Sequence, residues 1–171
     1  MKYYKFLTED ARGSCSGFNY ADYLPKSGKP GKWLPVVKDL RECESGYHSC
    51  KASQVSRWIN ARMFEVEYSG SVGTYSDKVN GHRMRFVREM PGWNERNQRL
   101  AACDIAESAL PNFENVHPGD PRPRTAIETS RRYASGEAVA DELSAAWSAA
   151  WSAAESAESK IFLRYAKMRP R

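Results

Sequence analysis

Hydrophobic and polar positions follow two rhythms along this chain, and the rhythm changes at Pro91-Gly92. Before that point the pattern has a period of two, the mark of strands with one buried face. Lys2–Leu7 (KYYKFL) is aromatic-rich and predicts a first strand. Arg62–Ser69 (RMFEVEYS) sets Met63/Phe64, Val66 and Tyr68 against Glu65 and Glu67, the clearest strand of the set. His82–Met90 alternates Met84 and Phe86 with Arg83, Arg85 and Val87. Trp33–Val37 reads as an edge strand, because Pro35 lacks the N–H that a central strand needs. Ser53 is placed to cap a short helix over Gln54–Ala61, with Val55, Trp58 and Ile59 inward. The stretches between are rich in Gly, Pro, Ser and Asp. They predict turns at Ser27-Gly28, Pro30-Gly31 and Gly46, and a plain connection over Gly70–Gly81.

After Pro91-Gly92 the pattern has a helical period. Trp93–Leu110 carries Leu100, Cys103, Ile105/Ala106 and Leu110 on one face, and VHPGDPRP closes that helix. Pro123 stands in the favoured first turn of a second helix, Arg124–Ala134, with Ala126, Ile127 and Tyr133 at helical spacing. Ser135-Gly136 breaks it. From Glu137 to Arg169 no Gly or Pro intervenes, and SAAW-SAAW-SAAE-SAES predicts one long Ala-rich helix of about 32 residues, roughly 48 Å. Its stripe runs through Val139, Leu143, Ala146, Trp147, Ala150, Ala154, Ala157, Ile161 and Tyr165. The expected fold is therefore α+β. Residues 1–92 form a small antiparallel sheet with one short helix, and residues 93–171 a three-helix unit with a long last helix.

Composition narrows the setting. At 171 residues and 41% hydrophobic, the chain is long enough for a real core. No apolar run is long enough to span a bilayer, and MKYYKFLTEDARG has no signal-peptide apolar region. A cytoplasmic protein is expected, with Cys15, Cys43, Cys50 and Cys103 as free thiols and no membrane partner. The net charge of +5 lies entirely in the first part: residues 1–92 hold 15 Lys+Arg against 10 Asp+Glu, and residues 93–171 hold 11 of each.

The chemistry-bearing residues fall into four groups. Cys43, His48 and Cys50 lie within eight residues and are soft zinc-ligand types, with Cys15 or His82 as a fourth. Their spacing is not that of a standard zinc site, and the reading is of no metal and no cofactor. His48 with Glu65 or Glu67, or Cys50 beside a base, offers an acid/base or nucleophile set for a small transferase or metal-dependent enzyme, without a companion motif. Lys32, Arg83, Arg85 and Arg88, interleaved with Trp33 and Phe86, have the makings of a nucleic-acid grip, although most such sets are a solvated face. In the helical part, Asp104 sits among apolar neighbours and predicts a buried pair with Arg122 or Arg131. Arg122 and Arg124, near a helix N-terminus, are candidates for an anion site. Trp147 and Trp151 stand one turn apart, as core anchors or as interface hot spots.

The ordered set Cys103-Asp104, Ala106-Glu107, Arg122-Pro123-Arg124, Ala126-Ile127-Glu128, Tyr133-Ala134 and Gly136-Glu137 resembles the helical Imm5-like family of immunity proteins, over about residues 93–157. Tyr133 stands where the family pattern has Trp. The first half, through Gly46-Tyr47-His48-Ser49-Cys50, Phe64-Glu65-Val66 and the later basic strand, is similar to an uncharacterised domain of phage and prophage proteins. The resemblance implies a phage-type protein that binds a host or toxin protein without catalysis, in the host cytoplasm. Asp104, Arg122, Arg124, Arg131, Trp147 and Trp151 are then the binding candidates. Nucleic-acid binding by the basic half is the rival expectation.

Overall fold

A computed structural model describes residues 1–150. Six strands form one antiparallel sheet: β1 (Tyr3–Leu7), β2 (Tyr47–Lys51), β3 (Arg62–Tyr68), β4 (Val72–Thr74), β5 (Val79–Gly81) and β6 (Met84–Glu89), in the order β4-β5-β2-β1-β3-β6. Three helical segments follow: α1 (Glu95–Val116), α2 (Arg122–Ala134) and α3, residues 140–150. The fold is α+β, as the change of rhythm requires. Met1–Asn94 is one compact unit, and a second begins at Glu95.

In the first unit the period-two rows become one core. Leu7, Phe64, Val66, Met84 and Phe86 are buried on a single face of the sheet. Phe86 stacks edge-on against both Phe64 and Tyr20. Ala11 and Tyr20 come down on that face from the loop after β1, and Leu34 from the next segment. The Ser27-Gly28 turn forms as expected, closed by Lys26 and Lys29 bonding each other in both directions.

Three local expectations are corrected. Trp33–Val37 is not a ladder strand: the segment runs beside β6 and is held at every third residue, by Gly31 N to Phe86 O, Leu34 N to Met84 O and Val37 N to His82 O. That spacing buries Leu34 completely and leaves Pro35, without an N–H, in a position that needs none. The region 70–81 is not a plain connection but a hairpin, with β4 pairing Val72 to Gly81 and Thr74 to Val79. The predicted helix over 54–61 is a 3-10 helix at Ala52–Arg57, and Ile59 is 49% exposed. The buried residue is Gln54, which accepts from Lys51 N–H and donates to Tyr75 O, while Trp58 Nε1 donates to Asp77 O. Side-chain bonds to the hairpin, not an apolar face, fix this turn.

In the second unit α1 and α2 run antiparallel. Arg96 bonds Ala134 O, Arg131 reaches Glu107, and Arg124 reaches Glu114. Cys103, Leu110 and Ala126 are buried between them, with Thr129 and Ser130; Ile105 points to solvent at 57% exposure. Pro111 lies inside α1, which continues to Val116. α2 ends in a Schellman cap, with Gly136 at φ +78°, Gly136 N bonding Tyr133 O and Glu137 N bonding Arg132 O. That cap uses residues 135–137, so α3 starts at 140 rather than at Glu137, and Val139 is exposed. Leu143, Ala146 and Ala150 lie on the half-buried side of α3. The predicted continuation, with Trp151, Ala154, Ala157, Ile161 and Tyr165, lies outside the described residues.

Candidate functional site

Two features stand out, one in each unit. In the first, the β1–β2 ladder holds only two pairs, Tyr3 with Lys51 and Tyr4 with Cys50. Beyond them β2 turns to β5, pairing Tyr47 with Gly81, His48 with Asn80 and Ser49 with Val79. The strands part, and a cavity of about 340 Å³ opens between them. Lys5 lines this cavity. Its Nζ donates to the carbonyl of His48 at 2.7 Å, an acceptor that a continued ladder would have used, and lies 5.0 Å from the centre of the Tyr20 ring.

The walls bring Cys15, Cys43, His48 and Cys50 together with Tyr20 and Trp58. Cys43, at φ +62°, donates its backbone N–H to His48 Nε2 at 3.3 Å, so that nitrogen is an acceptor and the imidazole is neutral. Burial, then the Lys5 and Lys78 cations, hold the His48 pKa below its ordinary value. Cys50 donates its thiol to Tyr4 O at 3.3 Å, and burial pushes its pKa up to about 11, so it is a thiol and a poor nucleophile at neutral pH. Burial also takes Lys5 down to about 8, against a smaller upward pull from Cys15 and Cys50. Lys78 is different: its ammonium pairs with Glu42 and Asp77, each at 3.1 Å, which raise its pKa.

The structure thus gathers three of the zinc-type candidates around one cavity, with Cys15 beside them. Among the described residues, however, no group of three His, Cys, Asp or Glu side chains has metal-binding geometry. His82 is elsewhere, with Nδ1 on Val37 O at 2.8 Å. The His48–Glu65 acid/base pair is not assembled. Glu65 is held by Arg88 at 2.8 Å and Lys2 at 3.5 Å and does not line the cavity. Glu67 pairs with Arg85. The sequence does not single out Lys5, yet Lys5 shares a strand face with Tyr3 and Leu7. A lysine in a core-facing row was the available signal.

The basic strand lies on a different part of the unit. Arg83 and Arg85 lie over the Trp33 ring at 5.4 and 4.7 Å, and Lys32 beside it is exposed. Arg85 and Arg88 are matched by Glu67 and Glu65 across β3–β6, and Arg62 by Glu89 at 2.7 Å. A cation already paired with a carboxylate gains less from a phosphate, so this face is a charge ladder more than a phosphate track.

In the second unit, Arg131 bridges Asp104 at 2.7 Å and Glu107 at 2.6 Å, joining α2 to α1. The expected burial of Asp104 is corrected: its side chain is 68% exposed, because it stands beside the α1–α2 seam rather than in it. Arg122 grips Asp120 with both arms, at 2.8 and 2.6 Å, and that contact draws the Asp120 pKa down to about 2. Arg124 grips Glu114. The two candidate anion-binding guanidiniums are therefore already engaged by carboxylates of their own unit. An apolar groove of about 590 Å³ runs over α1 and α2, lined by Ala102, Ala106, Phe113, Ile127, Trp147 and Ala150 among others. Trp147 stands at its edge, 54% exposed. Trp151 lies outside the described residues.

Residues 95–168, in the C-terminal region of the chain, match the model of a family described as Imm-5 like putative immunity protein. No curated protein and no solved structure is significantly similar to the chain. No helix among the described residues is long and apolar enough to cross a membrane.

Proposed function

We propose that this chain is an immunity-like protein of phage or prophage type, which acts by binding a toxin or host protein through its helical unit and catalyses nothing. The match of residues 95–168 to an immunity family carries this reading. The helical unit supports it in kind. Its exposed surface combines a large aromatic, Trp147, with a dense set of exchangeable ion pairs: Arg131 with Asp104 and Glu107, Arg124 with Glu114, and Arg132 with Glu142. Aromatic anchors ringed by Arg are where binding energy concentrates in protein interfaces, and surface charges steer encounter and select the partner. The surface ion pairs themselves contribute little to folding, which leaves them free to re-pair.

The test is genetic and direct. Each reading frame that neighbours the gene is expressed alone and then with the full chain, and growth is scored for any product that arrests it. The reading expects growth to be restored by the parent chain and lost again with Trp147→Ala combined with Arg131→Glu. Growth that stays arrested with the parent chain present at equal or higher level overturns it.

A further inference from the structure

We propose that the cavity where β1 and β2 part is a binding site for a small aromatic carboxylate, with the Lys5 ammonium as its counter-ion. Three observations converge. The first is size: about 340 Å³ is the low end of small-molecule sites and suits one ring with a short acidic arm. The second is charge. Among the described residues Lys5 makes no salt bridge, and its contacts are a carbonyl, His48 O, and the Tyr20 ring. Its neighbour Lys78 has taken Glu42 and Asp77, and Glu44 at the rim is paired with Arg41 at 3.0 Å. A cation on the core-facing row of a strand, without a carboxylate, is unfavourable for folding alone; an apolar side chain of the same length is cheaper there. The third is the wall. Phe6, Tyr20 and Trp58 offer rings for a flat ligand, while the neutral thiol of Cys50 and the neutral imidazole of His48 add no competing negative charge.

The depressed Lys5 pKa, about 8, has the same origin: burial without a counter-ion drives the amine toward neutrality, yet leaves it mostly protonated at pH 7. The other titratable groups that line the cavity are Tyr4, Cys15, Tyr20, Cys43, Glu44, His48, Cys50 and Lys78. The one carboxylate among them, Glu44, is paired with Arg41 at 3.0 Å and makes no salt bridge with Lys5, so a bound carboxylate is what would restore the ordinary lysine value.

The experiment uses the full chain at pH 7 and two probes of equal shape, benzoate and benzamide, followed by amide and lysine-side-chain NMR. The proposal expects benzoate to bind at about millimolar strength, as its few atoms allow. Its shifts should centre on Lys5, His48 and Cys50, and it should raise the Lys5 pKa toward about 10.4. Benzamide should bind at least about tenfold more weakly, the least that a charge-assisted bond supplies. Lys5→Met should lose the benzoate shifts while keeping the parent spectrum elsewhere. If that variant does not fold, the pKa change in the parent chain decides alone. Equal binding of the two probes, shifts centred outside the cavity, an unmoved Lys5 pKa, or no benzoate binding up to about 10 mM each overturns the proposal.

Discussion

Gly46 closes the loop that walls the cavity, and replacing it by Ala tests the local geometry sharply. Two penalties arise. The residue has φ +105°, which side chains rarely adopt, at about 1–3 kcal/mol. A Cβ there also meets Asn80 Oδ1 at 2.1 Å and Leu40 Cδ2 at 2.7 Å. Asn80 is fully buried in β5, and its Nδ2 donates to Ser45 O at 2.8 Å. It cannot retreat without breaking that bond and leaving polar groups unsatisfied, about 1–3 kcal/mol more. Together Gly46→Ala should destabilise the first unit by about 2–6 kcal/mol. Gly70→Ala is the control. It has a similar φ, +92°, but a Cβ there meets nothing within 4 Å, so only the backbone penalty applies. Urea unfolding followed by NMR of first-unit amides separates this unit from the helices. Gly46→Ala should fall below Gly70→Ala by at least about 1 kcal/mol. If the two variants unfold together, Asn80 does not pin the loop and the account of the cavity wall is wrong.

Other outcomes follow from the same reasoning. Leu34→Ala, in a segment that is neither helix nor strand, should cost about 2–5 kcal/mol in the same urea assay, because Leu34 is fully buried in the core. Lys5 has a folded pKa near 8 against an unfolded 10.5, so between those values the unfolded chain binds more protons and stability rises with pH. Comparing the parent with Lys5→Met from pH 7 to 10.5 should show the parent gaining up to about 3 kcal/mol on the variant, and a constant gap would contradict the burial of that amine. Asp104→Ala should barely move the melt of the helical unit, since the pair it makes with Arg131 is exposed.

The sequence was most legible where a period could be counted. The rows Phe64/Val66 and Met84/Phe86 put the right residues on the core face, and the alternation alone located β3 and β6. The hairpin of β4 and β5 was missed because its strands are three residues each, too short for a period, and rich in Gly and polar residues. Leu34 was placed on an edge strand, whereas it is anchored by backbone bonds three residues apart, a pattern without a side-chain signature. Asp104 was expected to be buried because its sequence neighbours are apolar, but on a helix adjacent residues point in different directions. The cavity was half visible. Cys43, His48 and Cys50 drew attention as ligand types and do meet there, but for a topological reason: β2 leaves β1 after two pairs. Lys5, the cation of the cavity that makes no salt bridge among the described residues, is hidden by the ordinary expectation that lysine faces water.

The most direct test of the central claim is a binding measurement on the full chain. Titrating it into a purified neighbouring-gene product that arrests growth, by calorimetry at physiological salt, should give saturable binding with a fixed stoichiometry. Trp147→Ala should weaken that binding by about 2 kcal/mol or more while Asp104→Ala changes the chain's own melt little. No heat of binding and no co-elution at any accessible concentration, with both proteins folded, would contradict the account.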